Sequence, residues 1–149
     1  MKLMLVCTSG GHFATMSGLK SFWSLHERVW VSDRKKDTGM LEVNEKVYWL
    51  PYQAPRDVLA IIRNIPKTFK VVFLEKPDVI ISTGASIAIN FAYVAKLLGI
   101  RFIYIESISR AKELSITGRL VYLISDEFYV QWPELCQKYP KAIFKGYAS

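Results

Sequence analysis

Val79-Ile80-Ile81-Ser82-Thr83-Gly84-Ala85-Ser86, continuing as IAINFAYVAKLLG from Ile87 to Gly99 and IRFIYI from Ile100 to Ile105, decides the fold. Val79 to Thr83 is a short apolar run of strand type. Gly84 to Gly99 reads as a turn and a helix closed by a glycine cap, and Arg101 to Ile105 as the next strand. Strand, helix and strand in this order make a βαβ unit and call for a mostly parallel sheet. The same rhythm extends outward. Lys2 to Thr8 is apolar at nearly every position, as a parallel strand covered on both faces should be, and Ser9-Gly10-Gly11 ends it. A helix is expected over Phe13 to Leu25, a strand over Arg28 to Ser32, a polar loop over Asp33 to Thr38 and a third strand over Val47 to Pro51. Pro55 to Lys76 is a helical stretch with Pro66 inside it, which predicts a kink or a break there. Ser115 to Ile124 (helix), Glu127 to Gln131 (strand), Pro133 to Tyr139 (helical turn) and Ala142 to Lys145 (strand) complete an α/β chain read as one domain over residues 1–149.

The composition sets bounds on function. With 149 residues, 51% of them hydrophobic, the chain can bury a sizeable core without disulfides or metal. A net charge of +7 favours an anionic partner such as a nucleotide, nucleic acid or an acidic membrane. Cys7 and Cys136 stand in unrelated contexts, which points to a reducing cytoplasm and to neither a zinc site nor a disulfide. The opening MKLMLVCTSGGH is too short for a spanning helix and lacks a signal peptide's cleavage region. Ile80 to Leu98 is interrupted by polar residues, so membrane contact is expected to be peripheral.

In an open parallel sheet, ligands bind beyond the carboxyl ends of the strands, so the residues following each strand carry the functional reading. After the first strand, Ser9, Gly10, Gly11 and His12 form a corner where backbone approaches a ligand closely and a helix start offers N–H groups; a tight turn with a helix-capping histidine is the competing reading. Positions 9 to 14 read SGGHFA, which lacks the GxGxxG dinucleotide fingerprint. His12 is placed to act as a general base on a hydroxyl, since imidazole titrates near neutral pH. His26 is read as a surface residue near a helix end. After the fourth strand come Thr83, Gly84 and Ser86. After the fifth come Glu106, Ser107 and Arg110, a site cluster or a structural Glu–Arg pair. No His, Cys and carboxylate spacing supports a metal, and no cofactor is called for.

Arg56, Arg63, Lys67 and Lys70 are 7, 4 and 3 residues apart and share one helical face, while Val58, Ile61, Ile62, Ile65, Phe69, Val72 and Phe73 form a wide apolar one. Such a helix suits an anionic membrane surface, and equally a core-facing helix with a solvated basic side. Phe22 and Trp23 are adjacent and cannot both face one core, which leaves one of them for lipid or a partner.

SGGH after the first strand, STGAS after the fourth, IES after the fifth and then SITGRLVYLISDEFYVQWPELCQKYPKAIFKG together resemble the PssD-type bacterial polysaccharide biosynthesis proteins and their eukaryotic counterpart, the Alg14 family. The order of motifs is also similar to the acceptor half of MurG. The resemblance spans essentially the whole chain. It implies a Rossmann-like sheet with helices on both faces, equivalent to the N-terminal, acceptor-binding half of a GT-B glycosyltransferase. It also implies a PssE-like (Alg13-like) partner subunit that binds the UDP-sugar, and a lipid-linked acceptor of the undecaprenyl diphosphate type in exopolysaccharide or capsule synthesis. The enzyme would act as a heterodimer, peripheral on the cytoplasmic, inner face of the plasma membrane. Eukaryotic members carry an N-terminal hydrophobic anchor, whereas this sequence begins directly at the first strand, so attachment is expected to rest on surface features.

Carried over residue by residue, the resemblance makes Gly10, Gly11, His12, Thr83, Gly84, Ser86 and Glu106 site residues. His12 is then the base, Glu106 the group that positions sugar hydroxyls or the base, and Arg110 and Arg119 the cations for the acceptor's diphosphate or, alternatively, salt-bridge residues. A non-catalytic recruiter that stabilises and localises a catalytic partner is the main rival. The absent fingerprint argues against a self-sufficient nucleotide-binding enzyme. A nucleic-acid binder is disfavoured because the basic residues lie on one amphipathic helix without interleaved exposed aromatics.

Overall fold

Strands that are apolar on both sides need cover on both sides, and the fold supplies it around one parallel sheet. A computed structural model describes residues 1–148. The strands are β1 (Lys2–Val6), β2 (Glu27–Ser32), β3 (Val47–Trp49), β4 (Val79–Ser82), β5 (Arg101–Ile105), β6 (Glu127–Val130) and β7 (Ala142–Phe144). The helices are α1 (Gly11–Gly18), α2 (Lys20–Trp23), α3 (Val58–Glu75), α4 (Ile87–Leu98), α5 (Ile116–Val121) and α6 (Leu135–Lys138). The spatial order is β3-β2-β1-β4-β5-β6-β7, parallel throughout. It is the Rossmann-like arrangement expected from the sequence. The chain first winds one way from β1 to β3, then crosses to β4 and winds the other way. The loops leaving β1 and β4 therefore emerge side by side at the topological switch point.

Alternate residues of the strands build two cores. Met4, Val6, Val29, Val31, Ile80, Phe102, Tyr104 and Phe128 face α3, α4 and α5. Leu3, Leu5, Trp30 and Ile81 face Met16 and Trp23 of α1 and α2. Central α4 is apolar nearly all round because sheet and flanking helices enclose it, and Gly99 closes it in the left-handed conformation (φ 70°).

Two local expectations are corrected. The helix expected over Phe13–Leu25 is two short helices, because Leu19, after Gly18, leaves the helical path (φ −93°, ψ 15°). The buried Trp23 indole then turns back to donate to the Met16 carbonyl at 2.8 Å, while Phe22 stays exposed. The other correction is that α3 runs unbroken from Val58 to Glu75 with Pro66 inside. Pro66 lacks the N–H that would reach the Ile62 carbonyl, yet its ring lies on the exposed side, so the buried contacts of Ala60, Asn64, Thr68, Val71 and Val72 keep the helix continuous. The segment after β2, read as polar loop, passes into a 3-10 helix over Thr38–Val43.

At the opposite edge of the sheet from the switch-point loops, Glu75 receives Lys2 at 3.1 Å, Lys46 at 2.8 Å and the Tyr48 hydroxyl. Burial by itself would raise the Glu75 carboxyl, but these donors outweigh it and hold it at about 2. A carboxyl depressed in the folded state contributes stability above its unfolded value, near 4.3, and loses it as pH falls toward 2. Urea unfolding between pH 7 and pH 2.5 is expected to show a larger acid loss of stability in the wild type than in Glu75→Gln; parallel pH profiles would exclude this cluster as a contributor.

Candidate functional site

The loops after β1 and β4 are joined by two reciprocal hydrogen bonds. His12 Nδ1 lies 2.9 Å from the Thr83 carbonyl oxygen, and Thr83 Oγ1 donates to the His12 carbonyl at 2.6 Å. A carbonyl only accepts, so neutral His12 carries its proton on Nδ1 and keeps a lone pair on Nε2. Nε2 has no partner among the described residues, and the ring is half-buried. Gly84 makes this packing feasible. A Cβ there would stand 2.7 Å from His12 Cε1 and Nδ1, and its φ of 124° disfavours any side chain.

The glycine corner is held from a side that the sequence reading missed. The Ser9 amide donates to Asp33 Oδ1 at 2.8 Å and the Gly10 amide to Asp37 Oδ2 at 2.8 Å, with Ser9 Oγ 3.3 Å from Asp33 Oδ2. Gly10 adopts φ 87° and ψ −137°, a shape open to glycine. Two N–H groups of the corner are thus occupied by carboxylates, which also place negative charge beside it. Gly11 opens α1. Asp33 and Asp37 follow β2, which the rule for strand ends would have flagged had that rule been applied to every strand.

Glu106 is buried and holds the loop after β5 at both ends. It accepts from the Ser107 amide at 2.9 Å, from the Ser115 amide at 2.9 Å, from Ser115 Oγ at 2.9 Å and, more weakly, from the Tyr104 hydroxyl at 3.3 Å. A Cβ on Gly118 would come within 2.1 Å of Glu106 Oε2, so this carboxylate needs a glycine on α5. Burial first, and Glu106 second, push the Tyr104 phenol well above its usual range, so it stays protonated as a donor. With its oxygens so engaged, Glu106 shapes the loop. The Glu106–Arg110 pair weighed from sequence does not form. Arg110 is exposed and has no ion-pair partner among the described residues. Arg119 is bound to Glu113, which also takes Lys138 at 2.6 Å. Ser107 Oγ lies 2.9 Å from Ser109 Oγ, next to Arg110.

The Thr83 and Ser86 hydroxyls are buried and serve the loops; Ser86 Oγ accepts from Gln53 Nε2 at 2.6 Å. The groups left open at this edge include His12 Nε2 and the Arg110 guanidinium, a base and a cation. Among the described residues no cluster of three or more His, Cys, Asp or Glu side chains is arranged to hold a metal ion.

The outer surface of α3 reverses the usual helix. Its buried side includes Asn64, Thr68 and Glu75, while Leu59 (76% exposed), Ile62 (57%), Phe73 (56%) and Leu74 (61%) face outward. Arg63, Lys67 and Lys70 are exposed on α3 beside this apolar stripe, whereas Arg56, also exposed, lies in the turn before the helix and not on the face expected from its spacing, because Asp57 caps α3 at Val58. On α4 and α5, which pack alongside, Tyr93, Leu97 and Leu120 are exposed as well, and so is Leu123 in the turn after α5. No described helix is long and apolar enough to cross a membrane.

Residues 53–148 match the family described as oligosaccharide biosynthesis protein Alg14 like. The chain is 31% identical to the UDP-N-acetylglucosamine transferase subunit ALG14 of Yarrowia lipolytica over 97% of its own length and 80% of that protein. The human protein of the same name is 34% identical over 62% of this chain and 45% of its own. Among solved structures, Acinetobacter baumannii MurG superposes with a TM-score of 0.75 over the whole chain at 16% identity. The UDP-N-acetylglucosamine 2-epimerase of Rickettsia bellii gives 0.77 over 99% of the chain at 18% identity. The chain spans 46% and 45% of those two structures, and the likeness shows the fold alone.

The contact between Gly84 and His12 predicts the outcome of a single methyl group. Gly84→Ala is expected to destabilise the chain by about 1–3 kcal/mol, through the backbone conformation and the clash, and to push the imidazole off Thr83. Chemical denaturation reads the first effect. A stability within experimental error of wild type would mean that the loop does not hold this shape.

Proposed function

Because the chain belongs to the Alg14-like family of oligosaccharide biosynthesis proteins, we propose that it is the acceptor-binding, membrane-docking subunit of a two-chain glycosyltransferase. In this reading a PssE-like (Alg13-like) partner holds a UDP-sugar, of the UDP-N-acetylglucosamine kind named for the relatives, and this chain holds a lipid-linked acceptor. The observation that carries the reading is His12, whose Nδ1 is committed to the Thr83 carbonyl and whose Nε2 is open. The acceptor hydroxyl gives its proton to Nε2 as its oxygen attacks the anomeric carbon and the bond from that carbon to UDP breaks. The Thr83 carbonyl steadies the imidazolium that forms. Arg110 supplies charge for the acceptor's diphosphate. Arg119, engaged by Glu113, is the weaker candidate.

A lipid-linked acceptor keeps its tail in the bilayer, so the docking surface belongs to the same reading. Exposed apolar side chains of α3 beside Arg56, Arg63, Lys67 and Lys70 suit the interface of an anionic membrane. Each basic residue contributes on the order of 1 kcal/mol there, about 4 kcal/mol in all, which supports reversible attachment. The cytoplasmic face of the plasma membrane, with its anionic lipids, and an exopolysaccharide or capsule product are the setting this reading proposes.

Two experiments test it. The chain and its partner are assayed together with a UDP-sugar and a lipid-linked acceptor, and His12→Ala is expected to lower transfer by about 100-fold or more while complex formation persists. Transfer near the wild-type rate would instead support the non-catalytic recruiter. In co-sedimentation with anionic vesicles, changing Arg56, Arg63, Lys67 and Lys70 to Gln is expected to weaken binding and remove most of its salt dependence. Unchanged binding would move the docking surface elsewhere, with exposed Phe22 the next candidate.

A further inference from the structure

We propose that Gln53 is a positioning residue that ties the docking helix α3 to the loop that orients His12. Gln53 lies in the extended stretch between β3 and α3 and is 2% exposed. Its amide nitrogen donates to Ser86 Oγ at 2.6 Å and to Asn90 Oδ1 at 3.1 Å, and its carbonyl oxygen accepts from Asn64 Nδ2 at 3.0 Å. Ser86 Oγ in turn lies 3.2 Å and 3.3 Å from the Gln53 and Ala54 carbonyls, and Asn90 Nδ2 donates to the Ile61 carbonyl at 2.9 Å. One side-chain amide with both donors and its acceptor engaged therefore spans α3, α4 and the Thr83–Ser86 loop. It cannot rotate without breaking bonds in a buried setting.

The chemistry of this junction separates fastening from simple stability. Apolar side chains would join α3 to α4 without the desolvation cost of Gln53, Asn64 and Asn90; directional bonds instead fix one register between the two helices. The path from that register to His12 is four residues long. Ser86 is the anchored end, Ala85 is left-handed (φ 72°), Gly84 lies against the imidazole and Thr83 carries the carbonyl that holds Nδ1. Ala85 pays for a conformation that L-residues avoid, and such a backbone persists only where its surroundings over-determine it. The Gln53–Ser86 bond is the constraint on one side of Ala85, and the His12–Thr83 pair is the constraint on the other. A membrane-bound α3 thereby sets the place of the base relative to the bilayer in which the acceptor is anchored.

This inference rests on the proposed function, and its test separates the two. The chain is assembled with its partner on nanodiscs containing anionic lipid, and Gln53→Met and Asn64→Ala are compared with wild type. Gln53→Met is expected to lower kcat about tenfold or more, with acceptor KM and vesicle affinity close to wild type, because a small misplacement of a reacting group is enough for such a loss. Amide exchange at Thr83–Ser86 should quicken in the same variant. Asn64→Ala cuts only the bond to α3 and is expected to lower kcat in the same sense, which keeps the test decisive if Gln53→Met does not fold. Unchanged kcat in the folded variants would overturn the proposal. So would kcat, KM and vesicle affinity falling together in step with lost folded protein. A His12→Ala chain that still transfers sugar would defeat the underlying functional reading instead.

Discussion

The pair of hydrogen bonds between His12 and Thr83 is the constraint on which the site depends. It exists because β1 and β4 are adjacent and parallel, so that two loops 71 residues apart in the chain leave the sheet next to one another. Each loop gives one donor and one acceptor, which satisfies four polar groups at once in a half-buried place. The same pair determines the chemistry, since it consumes the Nδ1 proton and leaves Nε2 as an acceptor. Gly84 is the matching steric condition, because the imidazole occupies the volume where a side chain would stand.

Around this pair, most polar groups of the active edge are turned inward. Asp33 and Asp37 fasten the glycine corner, Glu106 closes the loop after β5, and Gln53 anchors Ser86. Such internal bonds give these loops one geometry, which loops free to move would not hold. The opposite distribution holds on the helical layer, where α3 turns Asn64 and Thr68 inward and Leu59, Ile62 and Phe73 outward. Polar bonds thus fasten the loops at the switch-point edge, and apolar side chains face outward along α3.

The fold was legible in the sequence because parallel strands read as uninterrupted apolar runs, and Gly84 and Gly99 bracket a helix between two of them. His12, Thr83 and Gly84 could be nominated from the same rule about strand ends. What could not be read was which groups answer which. Nothing in a polar loop announces that Asp37 will receive the amide of Gly10, 27 residues away, or that Gln53 will find Ser86 at a separation of 33. Glu106 looked like a sugar-facing acid because its engagement by Ser115 depends on how the following loop folds back. Pro66 misled for a related reason: its effect on a helix depends on the side it faces, and that side is set by tertiary packing.

His12 presents an imidazole with its proton on Nδ1 and a free lone pair on Nε2. Long-range ¹H–¹⁵N correlation spectra of the histidine-labelled chain at a pH where His12 is neutral test that directly, with His26 as the internal reference. The Nδ1–H tautomer is expected for His12, with Nε2 at the chemical shift of an unprotonated nitrogen. A His12 found in the Nε2–H form would overturn this assignment, because that nitrogen would then have no lone pair with which to accept a proton.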